Sequence, residues 1–245
     1  MNRFVSLGSF ILLHFWLLGP LSIGQGKSQS PPGSALTFSG HEQGTFKILF
    51  GGNVIGQERF QIVGEGSNFK ATAEVNLTVD RGSQKASFHI RSLLQFTKSF
   101  EPLYYQIQQE SAANIMKARV NFKPGRSQAI YETGKETDAR EIELKKDVLV
   151  LDDNVFHHYI ILARRFDFSR GGIQEFTAFV PQQFMAGSIS VEDKGFEQVT
   201  LGDRQVSLQH LLVDTGELQM SLWLNERHEL QKISVPKSNV DVVRE

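Results

Sequence analysis

Residues 69–79 alternate without a break between apolar and polar side chains. Phe69, Ala71, Ala73, Val75, Leu77 and Val79 fall on one face, and Lys70, Thr72, Glu74, Asn76 and Thr78 on the other. A β-strand points successive side chains to opposite faces, so this pattern dictates a strand with one buried side. The same period recurs through Phe46–Phe50, Phe60–Ile62, Ala86–Phe96, Leu103–Ile107, Met116–Phe122 and Phe176–Val180. It returns in segments centred on 189–191, 206–213, 218–224 and 233–235. Gly51-Gly52-Asn53, Asp80-Arg81-Gly82, Pro124-Gly125 and Arg170-Gly171-Gly172 supply turns between them. Residues 133–140 (TGKETDAR) read as a charged loop.

One stretch breaks the pattern. From Leu151 to Phe166 the spacing of Val155, Tyr159, Leu162 and Phe166 is helical, widened by Phe156, Ile160 and Ala163. Asp152, Asp153 and Asn154 offer cap oxygens at its start, and Arg164 and Arg165 place positive charge at its end. A helix over 154–166 would be about 18 Å long and 10 Å wide, enough to cover only a few strands about 4.8 Å apart. The remaining apolar face must be covered by the sheet itself. The expected fold is mainly β: a large curved antiparallel meander, half-barrel or barrel, covered by one main helix near 154–166.

Residues 1–24 have the three parts of a secretory signal peptide: Arg3, the apolar run Phe10–Leu18, and the small residues Ser22 and Gly24 after Gly19-Pro20. The apolar run is shorter than the roughly 20 residues that span a bilayer, which favours cleavage over a retained anchor and leaves no transmembrane span. Residues 25–40, rich in Gly, Ser, Pro and Gln, read as a flexible linker. Residues 41–240 then form a single β-rich domain, with 241–245 as a tail. The chain has no cysteine, which excludes a lipobox, disulfides and thiol chemistry. Together with the leader, that fits a bacterial periplasmic or secreted protein. A net charge of −1 gives no electrostatic case for nucleic acid or an anionic membrane.

The one cluster of metal-ligand types is Asp152, Asp153, His157 and His158. Asp153 and His157 lie one turn apart and are weak metal candidates, but adjacent histidines diverge on a helix and aspartates at a helix start are expected caps. No metal, and no other cofactor, is expected. Substituting His157 or His158 is accordingly expected to be mild. His89 and His210 read as structural, and no nucleophile–base pair or acid pair stands out, which argues against an enzyme. Inward aromatic and methionine residues would line any ligand cavity: Phe88, Phe96, Tyr105, Met116, Phe122, Met220 and Leu222. Phe156, Tyr159, Leu162 and Phe166 would form the helix cover.

The run Leu151–Tyr159 (LDDNVFHHY), the segment Phe179-Val180-Pro181-Gln182, and the tail Val235-Pro236 with Val242-Val243-Arg244-Glu245 carry a resemblance. Together they resemble uncharacterised exported bacterial proteins, β-rich domain-of-unknown-function families with a signal peptide. More distantly, a curved sheet with one helix is similar to the periplasmic lipoprotein-carrier architecture. The resemblance implies a fold and a compartment but no activity. Two functions are expected, the first of them from the excess of apolar sheet face over helix cover. One is a non-enzymatic periplasmic carrier for an apolar ligand such as a lipid or acyl chain. The other is a cell-envelope scaffold or assembly protein that works through protein–protein contacts.

Overall fold

The computed structural model describes residues 41–80 and 85–245. The leader, the linker and the Arg81-Gly82 turn lie outside the described residues. β1 (His41–Phe50) and β2 (Asn53–Glu65) form a hairpin closed by Gly51 and Gly52. Their φ angles are 57° and 79°, the left-handed pair that a type I′ turn demands and that glycine adopts without steric cost. The meander continues through β3 (Asn68–Asp80), β4 (Lys85–Thr97), β5 (Pro102–Ser111), β6 (Ile115–Asn121), β7 (Ser127–Thr133) and β8 (Glu136–Ile142). The six apolar residues of 69–79 are all buried, as the alternation requires.

The expected charged loop at 133–140 is instead the β7–β8 hairpin, turned at Gly134 with φ 59°. β8 forms one edge of the sheet and has both faces largely exposed, so its sequence carries no apolar alternation to read. Its charges blunt an edge that would otherwise invite pairing with another chain.

After β8 come β9 (Leu149–Val150), the helix α1 (His158–Arg165), β10 (Ile173–Val180), β11 (Met185–Leu201), β12 (Arg204–Asp214), β13 (Gln219–Leu224), β14 (Leu230–Val235) and β15 (Val240–Arg244). The expected C-terminal tail is thus a central strand. β15 pairs with both β14 and β1 and joins the two meanders into one sheet. The strand order is β8-β7-β6-β5-β4-β3-β2-β1-β15-β14-β13-β12-β11-β10-β9, and every pairing is antiparallel except β9 with β10.

The sheet curls until its two ends meet through side chains. Phe122, just after β6, packs edge-on to Phe179 of β10 at 6.3 Å between ring centres. Phe184, after β10, meets the Tyr131 ring of β7 at 6.1 Å and the Arg140 guanidinium of β8 at 4.8 Å. The result is barrel-like, with a seam of aromatic contacts. About eight strands make a barrel whose own side chains fill it, and larger barrels enclose space. Here a 15-stranded sheet takes the segment 148–166 into that space. Val148–Leu151, Val155, Phe156, Tyr159–Ala163 and Phe166 are buried in one continuous core with the inward faces of the strands.

The helix is shorter than expected, eight residues and so about 12 Å long, and it is buried on nearly every side. Among the described residues no helix is long and apolar enough to cross a membrane.

Candidate functional site: a polar latch inside the barrel

Burying a charged or polar side chain is costly unless it is paired, so polar groups inside the barrel mark where it departs from simple packing. They converge on the interior segment. Glu58, His157 and His158 are 0% exposed, and Asp152 and Asp153 only 2% and 1%.

Glu58 lies on β2 at the same parity as Phe60 and Ile62, and therefore points inward. Its carboxylate accepts the backbone N–H groups of Phe156 at 2.7 Å and His157 at 3.0 Å, and lies 2.6 Å from His157 Nδ1. It thus caps the N-terminus of α1 from 98 residues away. The expected caps do not act: His157 occupies the cap position without a side-chain bond, and no acidic residue lies in the first turn. The reason is local. Asn154 takes a left-handed φ of 60°, which asparagine tolerates. The chain bends sharply there, and Asp152 and Asp153 turn to other partners.

Asp152 Oδ2 accepts the Tyr105 hydroxyl of β5 at 2.7 Å, and its Oδ1 accepts the amides of Asp153 and Gln182, each at 3.1 Å. Asp153 Oδ2 accepts the Gln183 amide at 2.7 Å, and Gln182 donates to the Asp153 carbonyl at 3.1 Å. His158 Nδ1 accepts the Asp152 amide at 3.3 Å, which places its ring proton on Nε2. Nε2 of both histidines and Asp153 Oδ1 are buried without a partner among the described residues.

Burial sets the charge states. It pushes Asp152 up to about 6, against the pull of Tyr105, Gln182 and the Asp153 amide. It pushes Asp153 up to about 8, helped by the Asp152 charge beside it. Burial, and then proximity to His157, holds His158 well below its usual range, and burial raises the Tyr105 phenol. His158 is therefore neutral and Asp153 holds its proton at neutral pH. A general acid or base must reach a substrate, whereas each of these groups is closed off from solvent. Their geometry positions the segment.

The C-terminal end of α1 is tied at the rim. Arg164 donates to Glu42 at 3.4 Å, and Glu42 also accepts Arg244 at 2.8 Å. Arg165 donates to the Asp147 carbonyl.

Among the described residues no group of three or more His, Asp or Glu side chains could hold a metal ion. The weak metal candidates Asp153 and His157 are bonded to Gln183 and Glu58 respectively. Of the residues expected to line a ligand cavity, Phe96, Tyr105, Met116, Met220 and Leu222 are buried in the core, and Phe88 and Phe122 pack on it from partial exposure. They sit in the same cluster as the interior segment, as do Phe156, Tyr159, Leu162 and Phe166. The sequence reading missed Glu58, Gln182 and Gln183. For Glu58 the signal was present: a carboxylate two residues before Phe60 on an inward-facing strand.

No family model matches the chain, and no curated protein matches it. The fold is similar to that of a solved β-barrel-like protein of domain of unknown function DUF1849 from Brucella abortus. The identity is 8%, the match covers 86% of this chain and 97% of that one, and the TM-score is 0.57. A second solved structure, a DUF1089 family protein from Pseudomonas aeruginosa, aligns at 12% identity over 71% of this chain and 86% of its own, with a TM-score of 0.44. The first of these matches supports a β-barrel-like fold for the chain.

Proposed function

We propose that this is a non-enzymatic, exported cell-envelope scaffold that works through its outer surface. The observation that supports the reading is the occupancy of the barrel. The place an apolar ligand would take is filled by the chain's own residues 148–166, packed into one core and latched by Glu58, Tyr105, Gln182 and Gln183. A carrier of lipid or acyl chains would have to expel that segment. Doing so would leave the Asp152, Asp153 and His157 groups unpaired in an apolar bore, at a cost of several kcal/mol (about 1–3 for each unsatisfied group). The leader supports export, and the absence of cysteine fits a bacterial envelope.

Native mass spectrometry of protein purified from its host is expected to show the unliganded mass. Photo-crosslinking in cells is expected to yield adducts with an envelope component. A co-purifying lipid at stoichiometric level would overturn the reading in favour of the carrier, and so would crosslinking that recovers only the monomer.

A further inference from the structure

β8 ends the sheet on one side, and its outer edge is unpaired. The β7–β8 hairpin has a two-residue loop, Gly134-Lys135, so its closing pair Thr133 and Glu136 exchange both backbone bonds. By the alternation of an antiparallel ladder, Asp138, Arg140 and Ile142 also spend their backbone groups on β7. Thr137, Ala139 and Glu141 therefore aim theirs outward, and among the described residues these make no backbone bond. All three residues are exposed. The opposite end of the sheet offers less: β9 is two residues long and both are buried.

An unpaired edge accepts another strand through its backbone, and the side chains then decide which strand fits. β8 reads ETDAREI. Two copies of it can pair antiparallel about a two-fold axis only with one residue opposite itself, because hydrogen-bonding residues must face hydrogen-bonding residues. Like charges directly opposite are destabilising. A centre at any of the four charged residues sets that charge against its own copy. A centre at Thr137 sets Glu136 against Asp138, and one at Ile142 sets Glu141 against Glu143. The centre at Ala139 is free of such clashes: Asp138 faces Arg140 of the second copy, and Arg140 faces its Asp138. The outward backbone groups of Thr137, Ala139 and Glu141 then make the hydrogen bonds. Asp138 and Arg140 fall at non-hydrogen-bonded positions, where opposed side chains stand closer.

We infer that β8 pairs with β8 of a second copy of this chain, antiparallel about Ala139, to form a two-fold dimer. The inference rests on the scaffold reading above, to which it gives one partner. Within one chain Arg140 and Asp138 already meet at 2.6 Å on one face of the strand, and their side chains remain 57% and 45% exposed. In the dimer the two pairs form a square of alternating charge, each side chain keeping its own partner and gaining one across the axis. The charges that blunt this edge against strands in general thus admit a strand that carries the same sequence. A two-fold pairing of edges consumes both, so association stops at two copies.

The test is sedimentation velocity on the full chain over a concentration series at low and high salt. A monomer–dimer equilibrium is expected, weakened by salt because its ion pairs are exposed. Asp138→Lys and Arg140→Glu each set like charges across the axis and should lower the association constant by at least about tenfold. Mixed in equal amounts, the two variants should recover it as a heterodimer, since each new charge then faces its opposite. Ala139→Pro removes an outward N–H and leaves the β7 ladder whole, so it should give a monomer at an unchanged melting temperature. It keeps the inference testable if the charge variants loosen the seam, where Arg140 packs on Phe184. A parent that is monomeric at every concentration overturns the inference. So do dimers undiminished in all three variants, folded charge variants that fail to associate on mixing, or growth beyond the dimer. Its failure is separable from that of the scaffold reading. A lipid in the native mass spectrum defeats the scaffold, whereas a monomer that still crosslinks to an envelope component defeats only the dimer.

Discussion

Glu58→Ala is the perturbation that tests the latch most directly. The side chain is fully buried and accepts from two backbone amides and one imidazole, at 2.7, 3.0 and 2.6 Å. Alanine leaves all three without a partner in a place water does not reach, and adds a void. Removing one partner of a buried charged or polar pair costs about 3–5 kcal/mol. For a domain of about 200 residues, each kcal/mol shifts the melting temperature by roughly 2–4 °C, so a drop of roughly 6–20 °C is expected. Glu58→Gln keeps one acceptor oxygen but sets an NH₂ against the remaining donor, and should fall between parent and alanine. The control is Glu65→Ala, an exposed glutamate at the end of the same strand whose contact with Lys70 is 3.6 Å; it should stay within about 0.5 kcal/mol. Urea denaturation followed by circular dichroism measures all three variants. A Glu58→Ala protein within about 1 kcal/mol of the parent would refute the reasoning, because it would mean that the interior segment does not depend on its cap.

Leu162 is fully buried at the centre of α1, so Leu162→Ala should cost about 2–5 kcal/mol in the same assay. His157→Ala removes a ring that is stacked near Phe60 at 6.2 Å and bonded to Glu58. It should cost more than about 2 kcal/mol rather than being mild, with no response to a chelator. The pH dependence follows from Asp152 and Asp153, whose folded values of about 6 and about 8 lie above their ordinary range. The folded state therefore binds more protons than the unfolded one, and stability is fullest at low pH and is lost as pH rises toward 8. Urea midpoints should fall between pH 5 and pH 8, by at most about 1.4 kcal/mol per unit for each group. Asp153→Asn should flatten the decline, and a midpoint that rises over this window would contradict the assignment.

Much of the sheet was legible in the sequence, because a half-buried strand writes its geometry as alternation. β3 is the clearest case, and Gly51-Gly52 announces its turn by the backbone it needs. β8 was not legible, since an edge strand with two wet faces has no reason to alternate. β15 is five residues long, too short for a period to stand out from a tail. The helix was legible in place but not in extent. Asp152, Asp153 and Asn154 have the chemistry of caps, and only the left-handed bend at Asn154 shows that their oxygens go elsewhere. The cap that does act, Glu58, is 98 residues distant, and such a partner is invisible to any local rule. Substituting either histidine reads as mild from the sequence, whereas a helix enclosed by a barrel has no wet face and both rings are fully buried.

The polar contacts do something that apolar packing alone would not. An apolar segment in an apolar bore gains nearly the same burial at many depths and rotations, because hydrophobic attraction is non-directional. Hydrogen bonds distinguish one position from its neighbours, and a buried group left unpaired by a slip is penalised. Glu58 of β2 and Tyr105 of β5 hold the segment from one half of the sheet, while Gln182 and Gln183, just after β10, hold it from the other. The anchors thus come from both sides of the aromatic seam. The same bonds that fix the segment also bridge a sheet whose two end strands are not hydrogen-bonded to each other. A single substitution in the latch should therefore loosen the interior segment and the closure of the barrel together.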